Sequence, residues 1–163
     1  MLRIGLLSAF GILAAICVGT GEALAHDDSH ATKKKAEMKE TGFGRTGDPK
    51  KISRTVEIDM SDKMRFTPAK LMVKRGETVR FVAKNSGKQM HEMVIGSMEA
   101  LKEHADLMKK HPSMEHEEPY MVHVEPGKKA GIVWQFTKAG EFHFGCLLPG
   151  HFEAGMVGKI VVK

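Results

Sequence analysis

The stretch Gly140-Glu141-Phe142-His143-Phe144-Gly145-Cys146-Leu147-Leu148-Pro149-Gly150-His151-Phe152-Glu153-Ala154-Gly155-Met156 begins as a strand and ends as a loop of metal donors. Glu141 to Gly145 is a short strand candidate after the turn signal Lys138-Ala139-Gly140, and Val157 to Val162 is the next. The loop between them carries a thiolate, Cys146, an imidazole, His151, and a thioether, Met156. Soft sulfur donors suit copper, and a cysteine with two histidines and a weak axial methionine makes a trigonal copper electron-transfer site. The second histidine must come from elsewhere in the chain. His91, in Asn85-Ser86-Gly87-Lys88-Gln89-Met90-His91-Glu92-Met93-Val94-Ile95-Gly96, is the candidate, because it opens a short apolar run just after a turn-like stretch.

Upstream, Ile52, Arg54, Val56 and Ile58 alternate with Ser53, Thr55, Glu57 and Asp59, the period of two that suits a half-buried strand. Further strands are expected at Met64 to Phe66, Leu71 to Val73, Thr78 to Ala83, His91 to Ile95, Met121 to Val124 and Gly131 to Phe136. Turn signals separate them: Lys74-Arg75-Gly76-Glu77, Asn85-Ser86-Gly87 and Glu125-Pro126-Gly127-Lys128. Many short strands at regular spacing describe an all-β, antiparallel Greek-key sandwich or barrel. The exception is an insertion at about 97–120. Met98 to Lys110 is rich in helix formers, places Leu101, Ala105 and Met108 on one face, and must end before Pro112.

The N-terminus reads as an export signal over residues 1–25: Arg3, an apolar run from Ile4 to Val18, and the small-residue cleavage motif Ala23-Leu24-Ala25. Its apolar run is short for a membrane span, so no span is expected after cleavage and the protein is expected in the periplasm. Residues 26–50 are polar and read as a flexible arm. The remainder is enough for one domain, expected to act as a monomer. Of the chain's two cysteines, Cys17 leaves with the signal, and Cys146 then has no internal disulfide partner. A coordinated metal both deprotonates and shields such a thiol. The formal charge of +5 lies largely near the N-terminus with no aromatic-interleaved basic stripe, which argues against nucleic acid as a partner.

On Gly76-Glu77-Thr78-Val79-Arg80-Phe81, on His91 in its apolar run, on Gly140 to Cys146 and on Pro149-Gly150-His151 with Met156, the chain resembles the cupredoxins, small type 1 copper β-sandwiches. The resemblance implies that residues 51–163 form the cupredoxin domain, that His91, Cys146 and His151 are the strong ligands, and that Met156 is the axial one. It also exposes a departure. Many members carry Asn or Ser after the first histidine, where the side chain ties the two ligand loops together, and here Glu92 stands there. A carboxylate beside the metal would favour Cu(II); on a plain strand it would simply face solvent.

Other soft or imidazole donors cluster nearby. Met90 and Met93 flank His91, and His104, Met108 and His111 mark the insertion, which also holds Met98, Met114 and His116. With Glu92 they are candidates for tuning the centre or for binding additional copper; each methionine could equally fill the core. His26, Asp27, Asp28 and His30 could chelate copper at a free N-terminus. His123 and His143 read as outward-facing strand residues with no assigned role.

No catalytic residue is expected. Gly145 and Leu147 flank Cys146, where copper enzymes place the histidines that relay electrons onward, and no His-x-His pair is present. Two non-enzymatic functions stay open. One is a soluble electron carrier that meets redox partner proteins through an apolar patch of Leu147, Leu148, Pro149, Gly150 and Phe152 around His151. The other, favoured by the Met/His-rich insertion and by Met90-His91-Glu92-Met93, which resembles periplasmic copper-tolerance cupredoxins, is copper handling.

Overall fold

Alternation of side chains builds two sheets that face each other across an apolar core. A computed structural model describes residues 40–112, 114 and 117–163; the expected export signal and most of the expected arm lie outside these. The elements in order are β1 (Glu40–Thr41), β2 (Gly44–Thr46), β3 (Arg54–Ser61), β4 (Arg65–Thr67), β5 (Lys70–Val73), β6 (Thr78–Asn85), β7 (His91–Gly96), α1 (Met98–Lys110), β8 (Met121–Val124), β9 (Lys129–Gln135), β10 (Gly140–Gly145) and β11 (Val157–Val162). One sheet runs β1-β2-β9-β6-β3-β4 and the other β5-β11-β10-β7-β8.

The expected all-β sandwich with a helical insertion is what forms. Its pairing is antiparallel except at β3 with β6 and β5 with β11, which are parallel. The cause lies in the crossing after β4: β5 joins the second sheet, so β6 re-enters the first alongside β3 in the same direction. Val79, Phe81 and Ala83 of β6, Ile132 and Trp134 of β9, Phe142 and Phe144 of β10, and Ile160 and Val162 of β11 all point inward. Phe144 lies opposite Gly158 in the β10–β11 ladder, and a Cβ at 158 would fall 2.1 Å from its ring. Only glycine lets that ring lie across β11 and meet Phe66 edge-on at 5.0 Å.

Residues 40–46, read from sequence as part of an arm reaching residue 50, are instead built into the sandwich. Phe43 is the reason. It stacks on Trp134 at 5.3 Å, meets Tyr120 edge-on at 5.3 Å, and its carbonyl accepts from Trp134 Nε1 at 3.4 Å. With the Arg45 guanidinium donating to Gln135 Oε1 at 2.7 Å, it docks β2 on β9.

The helix forms where its sequence calls for one. Ser97 caps it by accepting from the Ala100 amide, Glu99 lies in the first turn, and Lys109 and Lys110 in the last complement the helix dipole. Leu101 and Ala105 pack with Val94, Met121 and Leu147, so α1 covers the outer face of β7 and the start of the ligand loop. Every residue of β7 is therefore buried, on both faces. Among the described residues no helix is long and apolar enough to cross a membrane.

Candidate metal centre

Antiparallel pairing of β7 with β10, Gly145 opposite Val94, brings the end of β10 alongside the start of β7. His91 and Cys146 meet there. His151 arrives from the loop, which folds back on itself: the Cys146 amide donates to the Met156 carbonyl, and the Met156 amide to the His151 carbonyl, both at 3.1 Å. One ligand atom from each of His91, Cys146 and His151 lies within 4.8 Å of the others. Cys146 Sγ is 3.2 Å from His151 Nδ1, and the two imidazole centroids are 5.1 Å apart. His91, Cys146 and Met156 are buried, Met156 in the same apolar cluster as Cys146, while His151 is partly open.

The electrostatics suit a cation. Burial pushes the Cys146 thiol up to about 12, so its thiolate needs a positive charge beside it. Desolvation, helped by His91, lowers the His151 pKa and keeps that imidazole neutral with a lone pair to donate. His91 Nδ1 is buried with no hydrogen-bond partner, an orphan that a metal would satisfy. A thiolate, two imidazoles and a thioether are a donor set for copper.

Glu92 is neither solvent-facing nor a ligand of this cluster. It is 1% exposed, accepts the Leu147 amide on Oε1 at 2.6 Å, and meets His123 Nε2 on Oε2 at 2.9 Å. Its own amide points at Cys146 Sγ, 3.4 Å away. The carboxylate thus makes the tie between ligand loops that Asn or Ser makes in many cupredoxins. His123, without an assigned role from sequence, is its partner; His143 lies on the outer face of its sheet yet is buried, and desolvation lowers its pKa.

Three further residues at the centre escaped the sequence reading. Asp62, in the β3–β4 turn, reaches His91 Nε2 at 3.3 Å and accepts the Lys88 and Gln89 amides, which hold its carboxyl below the ordinary range, Lys88 foremost. Asn85 is fully buried, donates to the Gln89 and Val124 carbonyls, and accepts the Gly87 amide, so it shapes the loop that delivers His91. Arg65 donates to the Ala154 carbonyl at 2.7 Å and steadies the ligand loop. A turn rich in Asp, Asn and Gly carries no signal that separates these roles from ordinary turn chemistry.

The other candidate donors are not gathered at this centre. Met93 and Met108 are core residues, Met90 is exposed just before His91, His104 is half-buried on α1, and His111 is the exposed C-cap of that helix. Met98 and Met114 belong to the insertion as well, and His116, His26, Asp27, Asp28 and His30 lie outside the described residues.

Comparison with known proteins agrees with this geometry. The model of the copper binding proteins of the plastocyanin/azurin family matches residues 52–163. The chain is 52% identical over 154 residues to the copper-resistant cuproprotein CopI of Rubrivivax gelatinosus, covering 93% of each. It is 36% identical over 150 residues to the protein of the same name from Pseudomonas aeruginosa, covering 74% of this chain and 82% of that one. Its fold is that of dithionite-reduced auracyanin from Roseiflexus castenholzii, with a TM-score of 0.58 at 22% identity over 69% of this chain and 98% of the other. A sandwich that carries a buried cysteine between two imidazoles, matched over residues 52–163, places the chain in the plastocyanin/azurin family of copper-binding proteins.

Proposed function

We propose that the protein is a periplasmic, non-enzymatic copper protein in which His91, Cys146 and His151 hold one ion, with Met156 as axial donor, and that its role is copper tolerance. The observation that carries this reading is the approach of three ligand atoms to within 4.8 Å inside a rigid sandwich, with His91 Nδ1 left without a partner. Such a scaffold supports both oxidation states of copper without large ligand movement. The tolerance role is supported by likeness to proteins named copper-resistant over most of the chain.

Capacity beyond one ion, if a tolerance protein is to have it, falls to donors that reach solvent, Met90, His104 and His111. Met93 and Met108 are committed to the core. A second reading, an electron carrier, is favoured by the half-buried His151 beside half-buried Leu148 and Phe152 and exposed Pro149, a surface fit for brief docking of a redox partner.

Copper stoichiometry together with a deletion strain separates the two. A tolerance protein takes up more than one copper per chain in excess metal, loses the surplus in a Met90→Ala/His104→Ala/His111→Ala variant, and its deletion sensitises cells to copper. One copper per chain, normal growth on copper and a respiratory or photosynthetic defect would establish the carrier instead.

A further inference from the structure

We infer that Asp62 is the positioning residue of the His91 ligand: its carboxylate takes the Nε2 edge of the ring and so turns Nδ1, unprotonated, toward the metal. The inference rests on the copper reading of the centre and adds a residue to it. Neutral imidazole carries one N–H, and an acceptor on one nitrogen fixes which. The acceptor here is Asp62 Oδ1, 3.3 Å from Nε2, while the buried Nδ1 has no partner. The carboxylate does not depend on this one contact for its place. The Lys88 amide donates to Oδ1 at 3.0 Å and to Oδ2 at 2.8 Å, and the Gln89 amide to Oδ1 at 3.2 Å.

The loop is cut to receive it. A Cβ at position 87 would stand 2.1 Å from Asp62 Oδ1, so Gly87 leaves the space the carboxylate fills. Asn85 then fixes the loop from within, through the Gly87 amide and the Gln89 carbonyl. Asp62 comes from the six-stranded sheet and His91 from the five-stranded one, so the ligand is oriented from across the sandwich. Partners of this kind set tautomer, ring orientation and ligand basicity, and losing one typically costs about tenfold to a hundredfold in metal affinity.

The test compares wild type, Asp62→Asn and Asp62→Ala. The readouts are the His91 tautomer in metal-free protein by nitrogen-15 NMR, Cu(I) and Cu(II) affinity by competition with a chromophoric chelator, and the reduction potential. Wild type is expected to hold the Nε2–H tautomer. Asp62→Ala loses that preference and binds copper about tenfold to a hundredfold more weakly. Asp62→Asn, which still offers an oxygen acceptor without the charge, keeps the tautomer, stays closer to wild type in affinity, and shifts the potential upward. If Asp62→Ala does not fold, Gly87→Ala, which displaces the carboxylate without removing it, must produce the same loss of tautomer. An Asp62→Ala protein that changes only its melting temperature, with tautomer, affinity and potential intact, would overturn the inference and leave Asp62 a loop strut. Wild type without a thiolate-to-copper band would instead overturn the copper reading, while the metal-free tautomer would still decide what Asp62 does.

Discussion

The Glu92 carboxylate accepts the Leu147 amide at 2.6 Å, across the seam between β7 and the ligand loop. Burial of the carboxylate removes competing water, so this contact fixes Leu147, next to Cys146, relative to Glu92, next to His91. Asp62 meets the Nε2 edge of that histidine at 3.3 Å.

Replacing Glu92 separates tie from charge. Glu92→Gln keeps an acceptor for Leu147 and removes a negative charge that favours Cu(II), so its reduction potential rises with little loss of thermal stability. Glu92→Ala leaves the buried Leu147 amide unsatisfied and destabilises the metal-free protein by about 1–3 kcal/mol. Voltammetry and denaturant titration distinguish the two. An unchanged potential in Glu92→Gln would show that the carboxylate does not act on the metal.

Cys146 is protonated in the metal-free protein, its thiol raised to about 12 by burial. Copper binding at neutral pH therefore releases about one proton from it. Calorimetry in buffers of different ionisation enthalpy measures this release, and Cys146→Ser abolishes it together with the intense thiolate-to-copper absorption. Persistence of that absorption in the variant would discard the ligand assignment.

His143 gives the metal-free protein a pH dependence. Burial lowers its pKa in the fold, against the pull of Glu141. The unfolded chain therefore binds the proton more readily, and the stability it contributes is present above the ordinary histidine pKa and lost as pH falls below it. His143→Gln is expected to flatten this part of the curve. The Lys159 partnership that lowers the Glu141 pKa is lost only at lower pH, in the carboxylate range, so the two effects occupy different windows. A His143→Gln protein with the wild-type slope would show that the imidazole is not held neutral.

Leu101 links the helix to the centre, because it packs with Val94 and Leu147. Leu101→Ala is expected to cost about 2–5 kcal/mol and to broaden the copper spectrum by loosening Leu147. Thermal unfolding and paramagnetic resonance check the two halves. A normal spectrum in a destabilised variant would show the loop to be held without the helix.

Strand alternation and the helical face of Leu101, Ala105 and Met108 were legible because periodicity is a local property of the chain. The donor loop was legible for the same reason, with Cys146, His151 and Met156 lying in one short run. Glu92 was not, since alternation marks position 92 as outer face and its partners Leu147 and His123 lie far away in sequence. Asp62 comes from a distant turn, where aspartate is an everyday residue. β1 and β2 are two and three residues long, with Phe43 as their one buried aromatic, too little to give a periodic signal. Met93 and Met108 went to the core because thioethers fill apolar gaps as well as they bind copper, and sequence does not separate the two uses.

Asp62 and Arg65 belong to the six-stranded sheet and its turns, whereas His91 and the Ala154 carbonyl that they grip belong to the other. Sliding one sheet against the other would stretch both grips together. The aromatic layer between the sheets therefore sets how stiffly both grips are held, and a mutation deep in that layer, remote from His91 and Ala154 alike, is expected to loosen the two together.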